Sequence, residues 1–407
     1  MKRLVAMLLL VVMLGSTTAF SESIVMYAPH NGISICCRNG KYGFVRDDGE
    51  ELHPPVFDEV NIFRNNCSIV CKNGLWGAID KTGENIVPYE YDYVELAYSS
   101  ETTKRFIVSN AKGTGILNEV GEPICELIYD SIRGYHNELA IVEFNGLMGL
   151  IDLQGDLVVS PQWEWIYYMT DGWALVSFEQ EGETRYSFVN SKNERMEQTY
   201  LYAEPFSEGV AFVMDEDSAN MISPLGKPIF DISWDDIHFS CSQGLIGVCK
   251  NGLWGYCSNN GDIIISPTWH NAMPFAPEGL ASVKVDDKYG YIDECGRMII
   301  EPFWATASDF SNGYAIVSDG NHYGLIDKSG SICIPPIWND LQYPSEGLVA
   351  VQDSNGLWGF VDLSGKQQID LCFSFVLSGF ENGCALVIEP ENNRQIWINS
   401  IGEVVCP

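Results

Sequence analysis

Aspartates recur along this 407-residue sequence at a spacing that could be mistaken for a set of catalytic carboxylates. Five of them occupy one position of a repeated segment: Asp80, Asp152, Asp293, Asp327 and Asp362. Catalytic carboxylates need a pair at a specific separation, whereas these aspartates form a periodic row. Asn118 and Asn190 stand at the same position, and a glycine follows each of the five aspartates three residues later. We therefore predict that these side chains cap turns.

The sequence also contains no clear motif for metal binding or nucleophilic catalysis. The six histidines are scattered, with no HExxH segment and no pair at metal-ligand spacing. There is no GxSxG elbow, phosphate loop or dinucleotide fingerprint. The acidic clusters 47–51 and 215–217 match neither an EF-hand nor a calcium-binding repeat, so a solvated surface explains them. We predict no catalytic residue, no metal site and no cofactor, and thus a protein that is not an enzyme.

Tryptophan is the remaining candidate for ligand contact. Four tryptophans stand two residues after a proline: Trp163, Trp269, Trp304 and Trp338. If they are exposed in loops, their rings could stack on sugars, and the chain would be a glycan-binding module. Most of the eleven tryptophans have fixed places in the repeat, however, which favours a role in the core. Both interpretations stay open at this point.

The overall composition excludes two classes of partner. The chain carries 55 Asp+Glu against 23 Lys+Arg, a formal charge of −32, and 46% of its residues are apolar. That apolar content is typical of a globular protein. A strongly acidic surface repels phosphate backbones and anionic lipid headgroups. We predict no binding to nucleic acid and no insertion into a membrane.

The N-terminal residues predict export. Basic residues precede the apolar run 4–15, and small residues follow it. This order is typical of a secretory signal peptide, and the run is too short to span a bilayer. We predict a signal peptide of residues 1–21, cleaved after Ser21 or, as a near alternative, after Ala19. The mature chain 22–407 would then be secreted or periplasmic, at the cell envelope.

The thirteen cysteines do not resemble a disulfide framework. Their number is odd, their spacing is irregular and no CxxC occurs. Several, such as Cys125, Cys249 and Cys333, stand where other copies of the repeat carry Ile, Val or Leu. We interpret most of them as small buried hydrophobic residues.

An internal repeat organises the whole chain. The hexapeptide 72–77 recurs unchanged at 250–255. A glycine that follows an aromatic or other large residue marks most copies, at about 35-residue spacing, so about eleven units fill the mature chain. These structural repeat positions are Gly43, Trp76, Gly77, Gly115, Gly149, Trp254, Gly255, Gly290, Gly324, Trp358 and Gly359. We expect the ring of the next unit to pack against the bare backbone of each marker glycine.

Each unit is typical of three antiparallel strands. Asn-Gly turns at 73–74, 145–146, 251–252 and 355–356 predict a hairpin, and the Asp-to-Gly turn leads to a third strand that ends near a proline. No segment after residue 21 has helical periodicity. The fold class is therefore all-β, an array of three-stranded units in an open solenoid or superhelix, with one or two propeller-like rings as the alternative.

Two segments depart from the repeat. Residues 178–227 hold weak copies and indicate a possible module boundary. Residues 380–407 lack the aromatic–glycine pair and are interpreted as a terminal cap. Terminal repeats need an outer face that tolerates solvent.

The repeated motif resembles that of the WG (KWG) β-repeat proteins. Trp-Gly stands intact at 76–77, 254–255 and 358–359, and across the units the motif continues with the turn glycine, a proline and an aromatic residue. The resemblance covers residues 24–407. It implies an exported bacterial protein whose repeats serve in binding or scaffolding, with no family catalytic residue. We expect an exported scaffold that binds another protein, and a glycan-binding module as the alternative; an enzyme with an unrecognised site is less favoured.

Overall fold

The computed structural model describes residues 9–10, 25–27, 32–100, 102–216, 218–381, 383–391 and 393–406. Most of the predicted signal peptide, with its cleavage site, lies outside the described residues. All regular elements in the described ranges are β-strands. Within those ranges there is no helix long and apolar enough to cross a membrane.

The described strands form eleven separate antiparallel sheets, which we number sheet 1 to sheet 11 in chain order. Neighbours in a sheet are neighbours in sequence: an edge strand, two hairpin strands and a closing strand. The predicted all-β tandem array is thus confirmed. Eight sheets have four strands, one has five and two have three. The strand added to the predicted three is the edge strand, which in most sheets has only two residues and so has no detectable hydrophobic pattern.

The strands are given by their place in the sheet. Sheet 1 begins with Leu9–Leu10. The edge strands are Val25–Tyr27, Glu59–Val60, Tyr93–Ser99, Ser131–Ile132, Trp165–Ile166, Tyr202–Ala203, Asp236–Ile237, Asn271–Ala272, Thr306–Ala307, Asp340–Leu341 and Phe375–Glu381. The first hairpin strands are Ile33–Arg38, Cys67–Lys72, Lys104–Asn110, Ala140–Phe144, Trp173–Gln180, Ala211–Met214, Leu245–Lys250, Leu280–Val285, Tyr314–Ser318, Leu348–Gln352 and Cys384–Ile388.

The remaining strands complete the sheets. The second hairpin strands are Lys41–Arg46, Leu75–Asp80, Gly113–Leu117, Leu147–Ile151, Glu183–Asn190, Ala219–Ile222, Leu253–Ser258, Lys288–Asp293, Tyr323–Asp327, Trp358–Asp362 and Gln395–Asn399. The closing strands are Glu51–Phe57, Asn85–Tyr91, Pro123–Tyr129, Leu157–Trp163, Ile263–Trp269, Met298–Trp304, Ile332–Trp338, Gln367–Phe373 and Val404–Cys406.

The chain divides into two compact bodies, Met1–Thr199 and Tyr200–Pro407. The first body holds sheets 1 to 5, and the second holds sheets 6 to 11. Sheets 5 and 6 lack a closing strand. In its place each has one isolated bridge, Val189 with Arg195 and Ile222 with Pro228.

Within each body, a hydrophobic core is shared by two consecutive sheets. Ala78 and Ile79 are adjacent on one strand, yet Ala78 packs in a core with sheet 3 and Ile79 in a core with sheet 1. Tyr256 and Cys257 divide in the same way between sheets 8 and 6. Successive residues of a strand face opposite sides of its sheet. The prediction that neighbouring units cover both faces of the middle strand is confirmed.

Hairpin turns follow the predicted chemistry at three of the four Asn-Gly pairs. Asn73 and Gly74 have φ of 54° and 80°, as a type I′ turn requires. The pairs at 145–146 and 251–252 also have two positive φ values. The pair at 355–356 does not, because the Asp353 carboxylate accepts hydrogen bonds from the backbone N–H groups of Asn355 and Leu357 and forms a different turn.

Candidate functional site

A bulge joins the hairpin to the closing strand in most units, and in most of these a proline lies in the bulge. In sheet 2, Trp76 pairs with Tyr91 and Ala78 pairs with Val87, so a step of two residues on the hairpin strand spans four on the closing strand. The same shift occurs in the other seven sheets, among sheets 1 to 10, that have a closing strand. The extra residues arch over the marker glycine, and we call this arch the closing bulge.

The marker glycines leave room for that arch. A Cβ on Gly255 would lie 2.4 Å from the Ile265 carbonyl oxygen and 2.6 Å from the Pro267 nitrogen. At Gly149 the Val159 carbonyl oxygen would be 2.4 Å away. The expectation that a ring of the next unit packs against this glycine is therefore wrong. The neighbour is the closing strand of the same unit, because the closing bulge folds its backbone onto the glycine. The same holds at Gly43, Gly77, Gly115, Gly290, Gly324 and Gly359.

The proline lies in the closing bulge, and the aromatic residue after it directly follows the bulge. Pro267 lies in the closing bulge, between the paired residues Ile265 and Trp269, where a missing N–H costs no ladder hydrogen bond. Beyond the bulge, Trp269 pairs with Trp254. The glycine, the proline and the aromatic residue of the repeated signature therefore together allow the closing strand to fold back onto the hairpin.

The two sheets without a closing strand show what replaces the glycine. Ser187 stands at that position in sheet 5, and its hydroxyl donates to the Gln198 carbonyl oxygen at 2.9 Å. In sheet 6, the Asn220 side chain accepts from the Phe230 N–H and donates to the Phe230 carbonyl oxygen, both at 3.2 Å. A polar side chain thus fills the space and holds the returning segment by hydrogen bonds. This explains why the copies in 178–227 are weak.

The four tryptophans proposed as ligand-facing do not present free rings. Trp163 and Trp304 are buried, with 7% and 4% of their surface exposed. Trp269 and Trp338 are half-buried and pack against core clusters. The sugar-stacking interpretation is therefore wrong for Trp163 and Trp304, and it stays a prediction for Trp269 and Trp338. Each ends a closing strand and pairs with the residue before the marker glycine, which places its ring over the core.

The recurrent aspartates cap turns as predicted. One carboxylate oxygen of Asp362 accepts from the Ser364 N–H at 2.9 Å and from the Lys366 N–H at 3.1 Å. A hydrogen bond from the Ser364 hydroxyl lowers the pKa of the Asp362 carboxyl. Asn118 accepts from the corresponding N–H groups in its unit. In the described residues no group of three His, Cys, Asp or Glu side chains is arranged to hold a metal ion.

Most of the described cysteines also behave as predicted. Seven of twelve are buried: Cys36, Cys67, Cys71, Cys125, Cys241, Cys249 and Cys257. Burial raises the pKa of the Cys67 and Cys257 thiols to about 11. Thiols with such pKa values stay protonated at neutral pH and are poor nucleophiles.

A set of glutamates between consecutive units was missed by the sequence analysis. The Glu208 carboxylate accepts from the Gly244 N–H at 2.6 Å, and Glu346 accepts from the Gly383 N–H at 2.9 Å. Each bond joins the turn before one hairpin to the same turn of the next unit. The available signal was the Glu-Gly pair that recurs in every second unit of the second body.

His238 is a half-buried histidine with no counterpart at its position in the other units. Its ring stacks on Trp254 with centroids 4.7 Å apart, and it fills the space that a side chain at position 247 would occupy, where the residue is glycine. Nε2 lies 3.1 Å from the Ala272 carbonyl oxygen, while the buried Nδ1 has no hydrogen-bond partner among the described residues. Burial lowers the pKa of His238, against the opposing effects of the Ala272 carbonyl and Asp236.

We expect this histidine to make the second body less stable in mild acid. Since the folded pKa lies below the unfolded one, the unfolded chain binds the proton first, and the free energy of unfolding falls as pH drops through the ordinary value of 6.5. Urea unfolding at pH 7.5 and 5.5 measures the loss. His238→Gln should reduce that loss relative to the wild type. An equal loss in the variant and in the wild type would contradict the assignment.

Three closing strands of the second body carry exposed apolar side chains. These side chains lie in sheets 7, 8 and 9 and are those of Ile263, Ile264, Ile299, Phe303, Ile332 and Ile337. Phe303 and Ile337 occupy equivalent positions and are 65% and 62% exposed. A Cβ on Gly296 would lie 3.2 Å from Ile265, so the turn that leads into one closing strand packs on the closing strand before it. We call this surface the apolar row.

The fold and the repeated closing bulge define a class of protein, an all-β repeat protein built from tandem antiparallel sheets. The chain belongs to the WG-repeat family. The model of the WG containing repeat matches residues 42–76, 76–99, 115–147, 148–180, 221–254, 254–289, 289–321 and 323–358, which together are more than half of the chain. None of the curated proteins matches the sequence.

Several solved structures resemble the chain distantly. One is a eukaryotic initiation factor, with 12% identity, a TM-score of 0.35 and coverage of 84% of this chain and 95% of that one. Another is the extracellular domain of a hybrid two component system from B. thetaiotaomicron, with 8% identity, a TM-score of 0.26 and coverage of 92% and 68%. A third is Hsv2p of Kluyveromyces lactis, with 11% identity, a TM-score of 0.30 and coverage of 58% and 92%.

Proposed function

We propose that the chain is an exported, non-enzymatic repeat scaffold that binds another protein at or outside the cell envelope. The observation that carries the proposal is the apolar row. Large apolar side chains that stay exposed on consecutive units are typical of a protein-binding surface. The predicted signal peptide supports the extracellular location, and the turn-capping role of the recurrent aspartates supports a role without catalysis.

Charge complementarity specifies the partner. Glu301 is exposed on the same closing strand between Ile299 and Phe303, and Asp262 precedes Ile263. The whole chain has a formal charge of −32. A partner that covers the apolar row should therefore present an apolar patch flanked by lysine and arginine side chains, and the opposite charges would accelerate its association.

Site-specific crosslinking tests the proposal. A photoreactive phenylalanine analogue replaces Phe303 or Leu225 in the full chain; Leu225 is a more exposed apolar residue outside the row. The chain is irradiated with the exported proteins of the producing cells, the crosslinked protein is identified, and its affinity for the wild type and for Phe303→Ser is measured with purified components. We expect crosslinking from position 303 only, an affinity about tenfold weaker in Phe303→Ser, and weakening with salt.

Three results would overturn the proposal. They are equal crosslinking from both positions, a crosslink only to a second copy of this chain, and an affinity that Phe303→Ser leaves unchanged. Circular dichroism of both variants establishes that they fold, since an exposed side chain contributes little to the core.

A further inference from the structure

A cleft in the first body lies between sheets 2 and 3 and encloses about 740 Å³. Its wall includes Asn61, Arg64, Trp76, Tyr93 and Glu95. The volume falls in the range of pockets that hold small molecules, about 300–1,000 Å³. The cleft is separate from the apolar row, which lies in the second body.

Local departures from the repeat create this cleft. The edge strand Tyr93–Ser99 has seven residues, whereas the edge strands of sheets 4 to 10 have two each. Its register shifts between Leu96 and Tyr98, which bends it. The facing side is the turn at Asn65 and Asn66, which has the two positive φ values, 49° and 62°, that recur in this turn of the repeat. The cleft is therefore a property of the junction between sheets 2 and 3 and does not follow from the repeat itself.

Polar groups in the wall are available to a ligand. The Arg64 guanidinium makes no ion pair or hydrogen bond with any residue the structure describes, although the Arg64 backbone pairs with Cys67. The side-chain amides of Asn61 and Asn65 also have no partner in the described ranges. Glu95 accepts from the Tyr93 hydroxyl, which orients one carboxylate oxygen.

The mixture of side chains selects the class of ligand. With Glu59 and Glu95 against the single Arg64, the wall repels an anion, and its hydrogen-bonding groups suit a ligand that carries hydroxyls. Planar amide, carboxylate and guanidinium groups form paired hydrogen bonds with adjacent hydroxyls. The half-buried Trp76 contributes an indole ring that can cover an apolar C–H face. Burial raises the pKa of the Cys67 thiol in the wall to about 11. The thiol therefore stays protonated at neutral pH, and we assign the cleft a role in binding and not in thiol chemistry.

We propose that this cleft binds a neutral oligosaccharide, held by Arg64, Asn61, Asn65 and Glu95 and packed against Trp76. The inference goes beyond the proposed function and does not depend on it. It also moves the glycan-binding interpretation to another tryptophan, because Trp163 and Trp304 are buried whereas the half-buried Trp76 lines the cleft.

Calorimetric titration of the full chain tests the proposal. The probes are cellotriose, maltotriose, xylotriose and the trimer of N-acetylglucosamine, with trigalacturonate as the anionic comparison. We expect saturable binding of at least one neutral trimer and none of trigalacturonate. Arg64→Ala and Trp76→Phe should each weaken binding about tenfold, as expected for a well-placed polar or aromatic contact.

The repeat supplies a matched control. Trp254 occupies the position of Trp76 in an identical hexapeptide, so Trp254→Phe repeats the same change at a residue that does not line the cleft and should leave the affinity unchanged. The proposal is overturned if no neutral trimer binds, if Arg64→Ala binds as tightly as the wild type, or if Trp254→Phe weakens binding as much as Trp76→Phe. None of these outcomes bears on crosslinking at Phe303, so the two proposals fail separately.

Discussion

Replacing Gly255 with alanine should lower the free energy of unfolding by about 3 kcal/mol, the upper part of the range for forced overpacking. The new Cβ would lie 2.4 Å from the Ile265 carbonyl oxygen, a distance that backbone atoms cannot tolerate. Gly255 does not have a positive φ, so the cost is steric and not conformational. Urea unfolding followed by tryptophan fluorescence measures it. The closing strand Ile263–Trp269 should be the segment that loses protection from hydrogen exchange.

A glycine three residues earlier serves as the control. Gly252 lies in the hairpin turn with φ of 75°, and a Cβ there would have no atom within 4 Å. Gly252→Ala should therefore cost only the conformational penalty of a left-handed residue, about 1 kcal/mol. If Gly252→Ala were as harmful as Gly255→Ala, the closing bulge would not be the reason for the marker glycine.

Replacing Tyr291 with alanine should lower the free energy of unfolding by about 4 kcal/mol, as for other buried aromatic residues. The side chain is fully buried between sheets 8 and 9, and its ring packs edge-on against Phe310 with centroids 4.8 Å apart. Its hydroxyl donates to the Ser308 carbonyl oxygen at 2.7 Å. Tyr291→Phe removes only that hydrogen bond and should cost about 1 kcal/mol.

Other units provide the comparison for this change. Tyr256 makes the equivalent hydrogen bond to the Met273 carbonyl oxygen, so Tyr256→Phe should have a similar cost. Phe360 occupies the same position in sheet 10 and packs on Phe380 without a hydroxyl. A loss for Tyr291→Phe as large as that for Tyr291→Ala would show that the hydrogen bond, and not the buried ring, dominates.

The sequence predicted what is periodic and local in this protein. The Asn-Gly pairs and the capping aspartates act within a few residues, so their roles could be inferred from residue type alone. The closing bulge could not, because it is a relation between Gly255 and the strand after it, and strand register depends on pairing. For the same reason the contact of Glu208 with Gly244 was missed, since it joins two units.

The candidate sites were less predictable than the fold. Proline-linked tryptophans such as Trp163 were correctly recognised as repeat positions, yet their exposure depends on which partner they face across the sheet. The cleft beside Trp76 depends on the length of one edge strand, and edge strands of two residues carry no pattern to compare it with. The six residues of the apolar row could be predicted to lie in strands, but only the structure shows that their side chains are exposed.

The closing bulge also has a consequence for the behaviour of the protein at high concentration. Each closing strand is the last in its sheet, and an unpaired last strand is a template on which another chain can add and grow into fibres. A kink and a proline such as Pro302 interrupt the regular line of N–H and C=O groups that such growth requires. The chain can therefore expose Phe303 and Ile337 on its closing strands, while the closing bulges oppose aggregation at the edges of its sheets.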